Sequence, residues 1–159
     1  MAKYLLLHNI RSAHNVGSIF RTADGAGVSH IYLSGYTPSP VDRFGRSVEE
    51  IAKTSLGAAA TVPYTVVNDD VMTFLMEQRQ SGRHVVAIEL DPRATPLHSF
   101  TPPAEVLYVL GNEVDGVPSE VLDRADSIVE IPMRGTKESL NVSVAAGIVL
   151  FHLGCTKTI

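Results

Sequence analysis

The chain has 159 residues, 45% of them hydrophobic and 19% charged, with a formal net charge of −4. This length suits one domain that buries about two thirds of its unfolded surface, and the apolar content excludes a disordered chain. One cysteine, Cys155, excludes an internal disulfide framework and an all-cysteine zinc site; no apolar run reaches the roughly 18 residues of a membrane span, and the N-terminal stretch is too short for a signal peptide, so a cytoplasmic globular protein is expected.

Along the chain, short β-branched runs alternate with helical stretches. Tyr4-Leu5-Leu6-Leu7 reads as a buried strand. Val16, Ile19, Phe20 and Ala23 recur at i, i+3, i+4 and i+7, the apolar stripe of a helix that Gly25 and Gly27 end. His30–Leu33 is a second strand, and Thr37–Gly45, with its two prolines, a loop. Ser47 with Glu50 three residues later forms a capping box for a helix running to about Leu56. A strand at Val62–Val67, a helix at Asp69–Gln80 closed near Gly82, and a strand at Val85–Leu90 follow. Asp91–Pro103 carries four prolines and reads as a long surface loop. Val106–Leu110, a short helix Ser119–Arg124, Ser127–Ile131 and a final helix from about Ser139 complete the run, with Cys155 a small packing residue near its end.

Continuously apolar strands alternating with helices predict an α/β fold over residues 1–159, a mostly parallel sheet with helices on both faces. Ligands of such sheets bind beyond the carboxyl ends of the strands, which directs attention to the loops Asn9–Asn15, Gly111–Pro118 and Pro132–Asn141. Charge is uneven as well. In residues 1–60, Lys3, Arg11, Arg21, Arg43, Arg46 and Lys53 outnumber four acids, whereas the remainder of the chain is acidic. A phosphate-bearing partner would meet the first third, although charge alone is equally met by an ordinary solvated surface.

Phosphate-loop, dinucleotide-binding and nucleophile-elbow motifs are absent, and the six histidines have no metal-ligand spacing, so no metal is expected. In the first loop, Asn15 suits a helix cap and Gly17 a close backbone approach. Arg11 and Arg21 are either solvated residues or the flanks of a phosphate and a ribose. In the second, Glu113 stands between Gly111 and Gly116 just past a buried strand, in a segment that turn chemistry alone would also explain. In the third, Ser139 suits a cap, whereas Asn141 enters a segment apolar almost all round, where a buried amide needs partners.

Taken together, Asn-x-Gly-x-x-x-Arg from Asn15, Leu-Gly-Asn-Glu-x-x-Gly from Leu110, and Ile-Pro-Met with Ser-Leu-Asn-Val-Ser from Ile131 resemble the three ordered motifs of the SpoU (TrmH-like) ribose methyltransferases of the SPOUT class. The resemblance runs from about residue 4 to residue 153. It implies a C-terminal trefoil knot that holds S-adenosylmethionine, a homodimer, and methyl transfer to a ribose 2′-hydroxyl of RNA. Asn15, Arg21, Glu113, Ser139 and Asn141 match its catalytic positions. Leu90, Gly111, Ile131, Ser139 and Leu140 match its cofactor contacts, and Arg11, Arg21, Arg43 and Arg46 are the expected RNA contacts. The RNA-binding extension often found in this family is missing from the chain, which is nearer the small members that modify transfer RNA; ribosomal RNA is the alternative substrate. The alternative activities are a catalytically idle RNA-binding relative and a nucleotide- or flavin-binding α/β protein.

The final helix carries Leu140, Val144, Ile148 and Phe151 on one stripe and Val142, Ala145, Val149 and Leu153 elsewhere round its axis. One sheet face covers one stripe, so the rest needs its own loops or, more economically, a two-fold partner. That arrangement would bring Arg11 or Arg21 of one subunit towards the cofactor pocket of the other.

Overall fold

The computed structural model describes residues 1–152, so the readings for Leu153 and Cys155 lie outside the described residues. The elements are β1 (Ala2–His8), α1 (Ala13–Gly25), β2 (His30–Ser34), α2 (Glu49–Ser55), α3 (Ala58–Thr61), β3 (Tyr64–Val67), α4 (Val71–Gln80), β4 (His84–Ile88), β5 (Thr95–Pro96), β6 (Glu105–Leu110), α5 (Ser119–Arg124), β7 (Ser127–Glu130) and α6 (Val142–Phe151). The strands form one seven-stranded sheet in the order β3-β2-β1-β6-β4-β7-β5. Every pairing is parallel.

Period-two alternation divides the strand side chains between two cores. Leu5 and Leu7 of β1 pack with Val16, Ile19 and Phe20 of α1, Ile51 of α2 and Ala146, Val149 and Leu150 of α6. Leu6, between them, faces the other way, into the core built by Phe74 and Leu75 of α4 and Val121 and Leu122 of α5. Helices thus cover both faces, as the apolar strands predict. Buried Lys3 ends one α-layer electrostatically: its Nζ donates to the Leu150 carbonyl at 2.7 Å, a cation at the negative end of α6.

Several boundaries differ from the sequence reading. Ser47 does not open a helix; it pairs with Val41 in an antiparallel bridge that closes the preceding loop. Val48 is therefore the N-cap of α2 and makes no side-chain cap bond. Past α2, Leu56 and Gly57 take left-handed conformations and a further short helix, α3, follows, its C-cap at Val62 delaying the predicted strand to Tyr64. The proline-rich loop contains β5, whose Pro96 sits on the sheet edge, where a missing N–H costs no ladder bond. β4 and β7 end at Ile88 and Glu130, one or two residues early, which frees Glu89, Leu90 and Ile131 for the loops beyond. No helix among the described residues is long and apolar enough to cross a membrane.

β1 sits at the point where strand order reverses: β2 and β3 lie to one side, β6 and β4 to the other. The loops after β1 and β6 meet across that switch point, where open α/β sheets bind ligands. The position of α1 above it depends on Gly17. A Cβ there would stand 1.8 Å from Thr54 Oγ1 and 2.9 Å from the Ile51 carbonyl oxygen, so α1 and α2 approach almost backbone to backbone. The threonine can rotate away, but the carbonyl cannot. Gly17→Ala is accordingly expected to destabilise by about 1–3 kcal/mol despite its better helix propensity. A thermal melt should fall by several degrees; an unchanged or higher midpoint would show that the helices can part at no cost.

Candidate active site

The first turn of α1 contains no acidic residue of its own. Ser12 is its N-cap, and the Ser12 hydroxyl accepts the Asn15 N–H at 3.1 Å. In a capping box the third helical residue would be a glutamate reaching back to the cap. Here that residue is Asn15, and the carboxylate comes from Glu113, in the loop after β6. Glu113 Oε2 accepts the Arg11 N–H at 2.9 Å, and Oε1 accepts the Ser12 N–H at 3.0 Å and the Asn15 side-chain amide at 3.1 Å. Burial pushes the Glu113 carboxyl up, but the N–H groups of Arg11 and Ser12, the Asn15 amide and its own N–H more than offset this and hold it below its ordinary value.

Because a carboxylate only accepts, it sets the orientation of the buried Asn15 amide. With Nδ2 committed to Glu113, Asn15 Oδ1 faces the third loop and accepts from Asn141 Nδ2 at 3.2 Å. Asn141 Oδ1 in turn accepts the Ser143 N–H at 2.9 Å and caps α6. The three sequence motifs therefore meet in one directional chain of hydrogen bonds. Two cap assignments change in consequence: Ser12 rather than Asn15 caps α1, and Asn141 rather than Ser139 caps α6. Asn141 is also exposed rather than buried, and its amide is satisfied by Asn15.

Beside this junction lies a cleft walled by the ends of β4, β6 and β7 and the loops that follow them. All five residues matched to cofactor contacts, Leu90, Gly111, Ile131, Ser139 and Leu140, line it, as does Glu113. Its floor includes Ile88, Leu110, Val142 and Ala145. Five carboxylates stand round it, Glu89, Glu113, Asp115, Glu130 and Glu138, with no lysine, arginine or histidine among the described residues that line it. Two glycines shape its second wall. A Cβ at Gly111 would stand 2.4 Å from the Gly116 carbonyl, and Gly116, at φ +70°, passes Glu89 where a Cβ would lie 2.2 Å from Oε2.

Other site residues carry no sequence signal of their own. Asn112 Oδ1 accepts the N–H groups of Val114 and Asp115, and its Nδ2 donates at 3.0 Å to the Asn9 carbonyl and the Tyr36 hydroxyl. Asn9, at φ +56°, makes the turn out of β1 that allows this. Glu89 accepts the N–H groups of Leu90 and Val117, pinning the β4 loop to the β6 loop. Asn112 is the asparagine of the Leu-Gly-Asn-Glu motif, where it had no assigned role, and nothing local pointed to Glu89.

Arg21 is not drawn into this junction. It follows Asn15 by six residues, roughly 120° round α1 from the Asn15 stripe, and it is exposed with no hydrogen bond or ion pair among the described residues. Arg11 joins the junction through its backbone, its side chain standing exposed. Arg43 and Arg46 lie apart, in the loop between β2 and α2. No group of three or more His, Cys, Asp or Glu among the described residues is arranged to hold a metal ion.

Comparison with known proteins adds the family. The model described as the SpoU rRNA Methylase family matches residues 2–151. The chain is 36% identical over 146 residues to the 23S rRNA (guanosine-2′-O-)-methyltransferase RlmB of Neisseria meningitidis serogroup B, a match spanning 92% of this chain and 55% of that protein. It superposes on the AdoMet-bound rRNA methyltransferase of Sinorhizobium meliloti with a TM-score of 0.85 at 31% identity, over 96% of this chain and 55% of that one. A structure described as giving insights into the 2-OH methylation of C/U34 on tRNA matches with a TM-score of 0.79 at 25% identity, over 96% of this chain and 93% of that one. The chain spans a little over half the length of the curated relatives it matches.

Glu113→Gln tests the junction without reference to any activity. A carboxyl held low in the folded state contributes stability in full above its unfolded value, and the contribution is lost as pH falls through the folded one. Glutamine keeps one acceptor oxygen and places a donor against an N–H, so the variant is expected to unfold at lower urea near pH 7. The gap between the two chains should close in acid, once pH has fallen through the lowered folded-state value of Glu113 and the carboxyl is itself protonated. A gap independent of pH would show that the carboxylate charge does not hold the first turn of α1.

Proposed function

The chain belongs to the SpoU rRNA methylase family, and from that premise we propose that it transfers a methyl group from S-adenosylmethionine to a ribose 2′-hydroxyl of structured RNA. The observation that carries the reading is the cleft itself, with five carboxylates, apolar walls and no basic side chain among the described residues that line it. A cofactor with a sulfonium and an ammonium against a single carboxylate has net positive charge and matches such a lining. The phosphates of a nucleotide or flavin would find no cation there, which argues against the nucleotide- or flavin-binding alternative.

In this reading Leu90, Ile131 and Leu140 give apolar walls to the cofactor, while Gly111 and Ser139 offer it backbone groups. S-adenosylmethionine supplies an electrophilic methyl group on its sulfonium. Glu113, Asn15 and Asn141 hold the three loops in register so that cofactor and ribose meet at a fixed separation, the main catalytic contribution open to groups that are already hydrogen-bonded to one another. Arg21, with a guanidinium that stays protonated, binds the RNA phosphate and stabilises the oxygen as it loses its proton.

Arg21 performs this role for a neighbouring subunit. Support comes from α6: Val142, Ala146, Val149 and Leu150 are buried against the sheet, whereas Val144, Ile148 and Phe151 remain exposed along one stripe; Leu140, read from sequence as part of it, precedes the Asn141 cap and lines the cleft. A homodimer covering that stripe would join two basic N-terminal thirds into one RNA surface. The trefoil knot belongs to the same proposal, in keeping with a cleft walled by three successive C-terminal loops. For the substrate, relatives named for 23S rRNA favour ribosomal RNA over the transfer RNA suggested by chain length. Transfer RNA stands second, on the match to the C/U34 structure over nearly its whole length. An enzyme of RNA modification with these relatives is assigned to the cytoplasm.

Calorimetry with S-adenosylmethionine is expected to register micromolar binding; a folded chain that binds none ends the cofactor reading. Arg21→Ala is expected to retain that affinity and lose methyl transfer by at least about 100-fold, and near-normal transfer would remove Arg21 from the mechanism. Sedimentation is expected to give a dimer, and a fully active monomer would refute the shared site. Mixing Arg21→Ala subunits with subunits mutated in the cleft should restore activity only if each site draws on both chains. Ribose-methylation mapping in cells lacking the protein distinguishes the RNAs by which site is lost, ribosomal or transfer.

A further inference from the structure

The loop between β2 and α2 holds an aromatic ring in water with cations on it. Phe44 is 66% exposed. The Arg43 guanidinium lies 4.7 Å from its ring centroid and that of Arg46 5.1 Å. The backbone that carries the ring is anchored: Asp42 Oδ1 accepts the N–H groups of Phe44 at 2.8 Å and Arg46 at 3.0 Å, and Oδ2 accepts Arg46 Nε at 2.9 Å. The Asp42 N–H donates to the Arg46 carbonyl, and the Val41–Ser47 bridge closes the turn below it. Gly45, at φ +77°, supplies the left-handed step that the turn requires. One carboxylate is thus spent on shaping the tip, and two guanidiniums leave it net positive.

The foot of this loop rises from the same sheet edge as Glu113. Tyr36 takes a hydrogen bond from Asn112 on its hydroxyl, and Thr37 Oγ1 accepts the Ile10 N–H at 3.0 Å. A solvent-facing phenyl ring flanked by two guanidiniums, on a loop whose foot is bonded to the motif loops, has the chemistry that recognises an unpaired nucleotide: a π face for the base and positive charge for the flanking phosphates. A duplex offers the charge partner but keeps its base faces stacked. We propose that Phe44 is a stacking platform for an unpaired base of the RNA substrate, with Arg43 and Arg46 on the adjoining phosphates. The base lies on the ring or on a guanidinium plane laid over it, so the loop selects substrates that are single-stranded near the target ribose. This rests on the reading of the chain as an RNA methyltransferase and names a specificity element within it.

The chain has no tryptophan, so Phe44→Trp creates a single fluorescent reporter at the proposed contact. Titration with a short oligouridylate and a short oligoadenylate is expected to quench its emission in both cases, and a duplex of equal length to quench it little. Phe44→Ala is expected to bind the single strands about fivefold or more weakly, and Phe44→Leu to fall with it, since leucine restores apolar surface but no π face. Far-ultraviolet dichroism and S-adenosylmethionine binding serve as controls and are expected to be unchanged in each variant. Unaltered single-strand affinity in Phe44→Ala, full affinity in Phe44→Leu, unchanged tryptophan emission at saturation, or no binding of single strands by the unsubstituted chain would each overturn the proposal. S-adenosylmethionine binding and methyl transfer by the unsubstituted chain report separately on the underlying reading, and their loss there would be a failure of that reading instead.

Discussion

A helix that lacks an anion at its own start must borrow one or leave its first N–H groups to water. α1 borrows Glu113, and the rest of the site follows from where that carboxylate originates. Glu113 is 98 residues from Asn15 in sequence and reaches it only because β6 lies beside β1 in the sheet. Strand order thus becomes a local hydrogen-bond pattern: insertion of β6 at the switch point brings the Leu110–Gly116 segment over the start of α1. The carboxylate then fixes the direction of every amide beyond it, through Asn15 to Asn141 and the first turn of α6. Its charge suits both tasks, since an acceptor-only group cannot be accommodated by flipping an amide.

Electrostatically the molecule is divided between two neighbouring regions of opposite sign. The cleft gathers carboxylates from the ends of β4, β6 and β7, while Arg11, Arg21, Arg43 and Arg46 stand exposed on α1 and the loops after β1 and β2, the part of the chain where basic residues outnumber acidic ones. An RNA backbone would be repelled by the former and held by the latter. That division keeps a proposed cationic cofactor and a polyanionic substrate in adjoining places without competition for one surface. Screening at physiological salt limits such effects to about 8 Å, so they distinguish sites this close only because the acids are concentrated in a concave wall.

The sheet and its two layers of helices were legible because burial on both faces writes apolar runs into the strands and 3.6-residue stripes into α1. The ends of elements were less so, each for a physical reason. Ser47 and Glu50 have the spacing of a capping box, but the backbone of Ser47 is already committed to Val41. Ser12 and Asn15 can both cap a helix, and only the donor from Asn15 to Glu113 decides between them. Pro96 looks like loop because proline is excluded from a strand interior, a rule that an edge relaxes. The three motif loops were identifiable by composition, and the cleft is lined by the residues matched to it. The role of Asn112, although it stands in the second motif, and that of Glu89 went unread because Asn112 donates and Glu89 accepts across loops distant in sequence.

Asn141 ties local chemistry to assembly. It caps α6, whose outer stripe of Val144, Ile148 and Phe151 is the surface a second copy would cover, and its amide also closes the hydrogen-bond chain from Glu113. A partner pressing on that stripe would load a helix whose first turn is held by the junction. The same helix contributes Val142 and Ala145 to the floor of the cleft. Movement of α6 on association would therefore reach the cofactor walls and the Asn15–Glu113 contact together. The exposed arginine on α1 completes the logic: Arg21 faces away from the junction of its own chain, on a helix packed against α6. A residue so placed has little to offer its own cleft, and the proposed two-fold partner packed across α6 would supply the cleft it could serve.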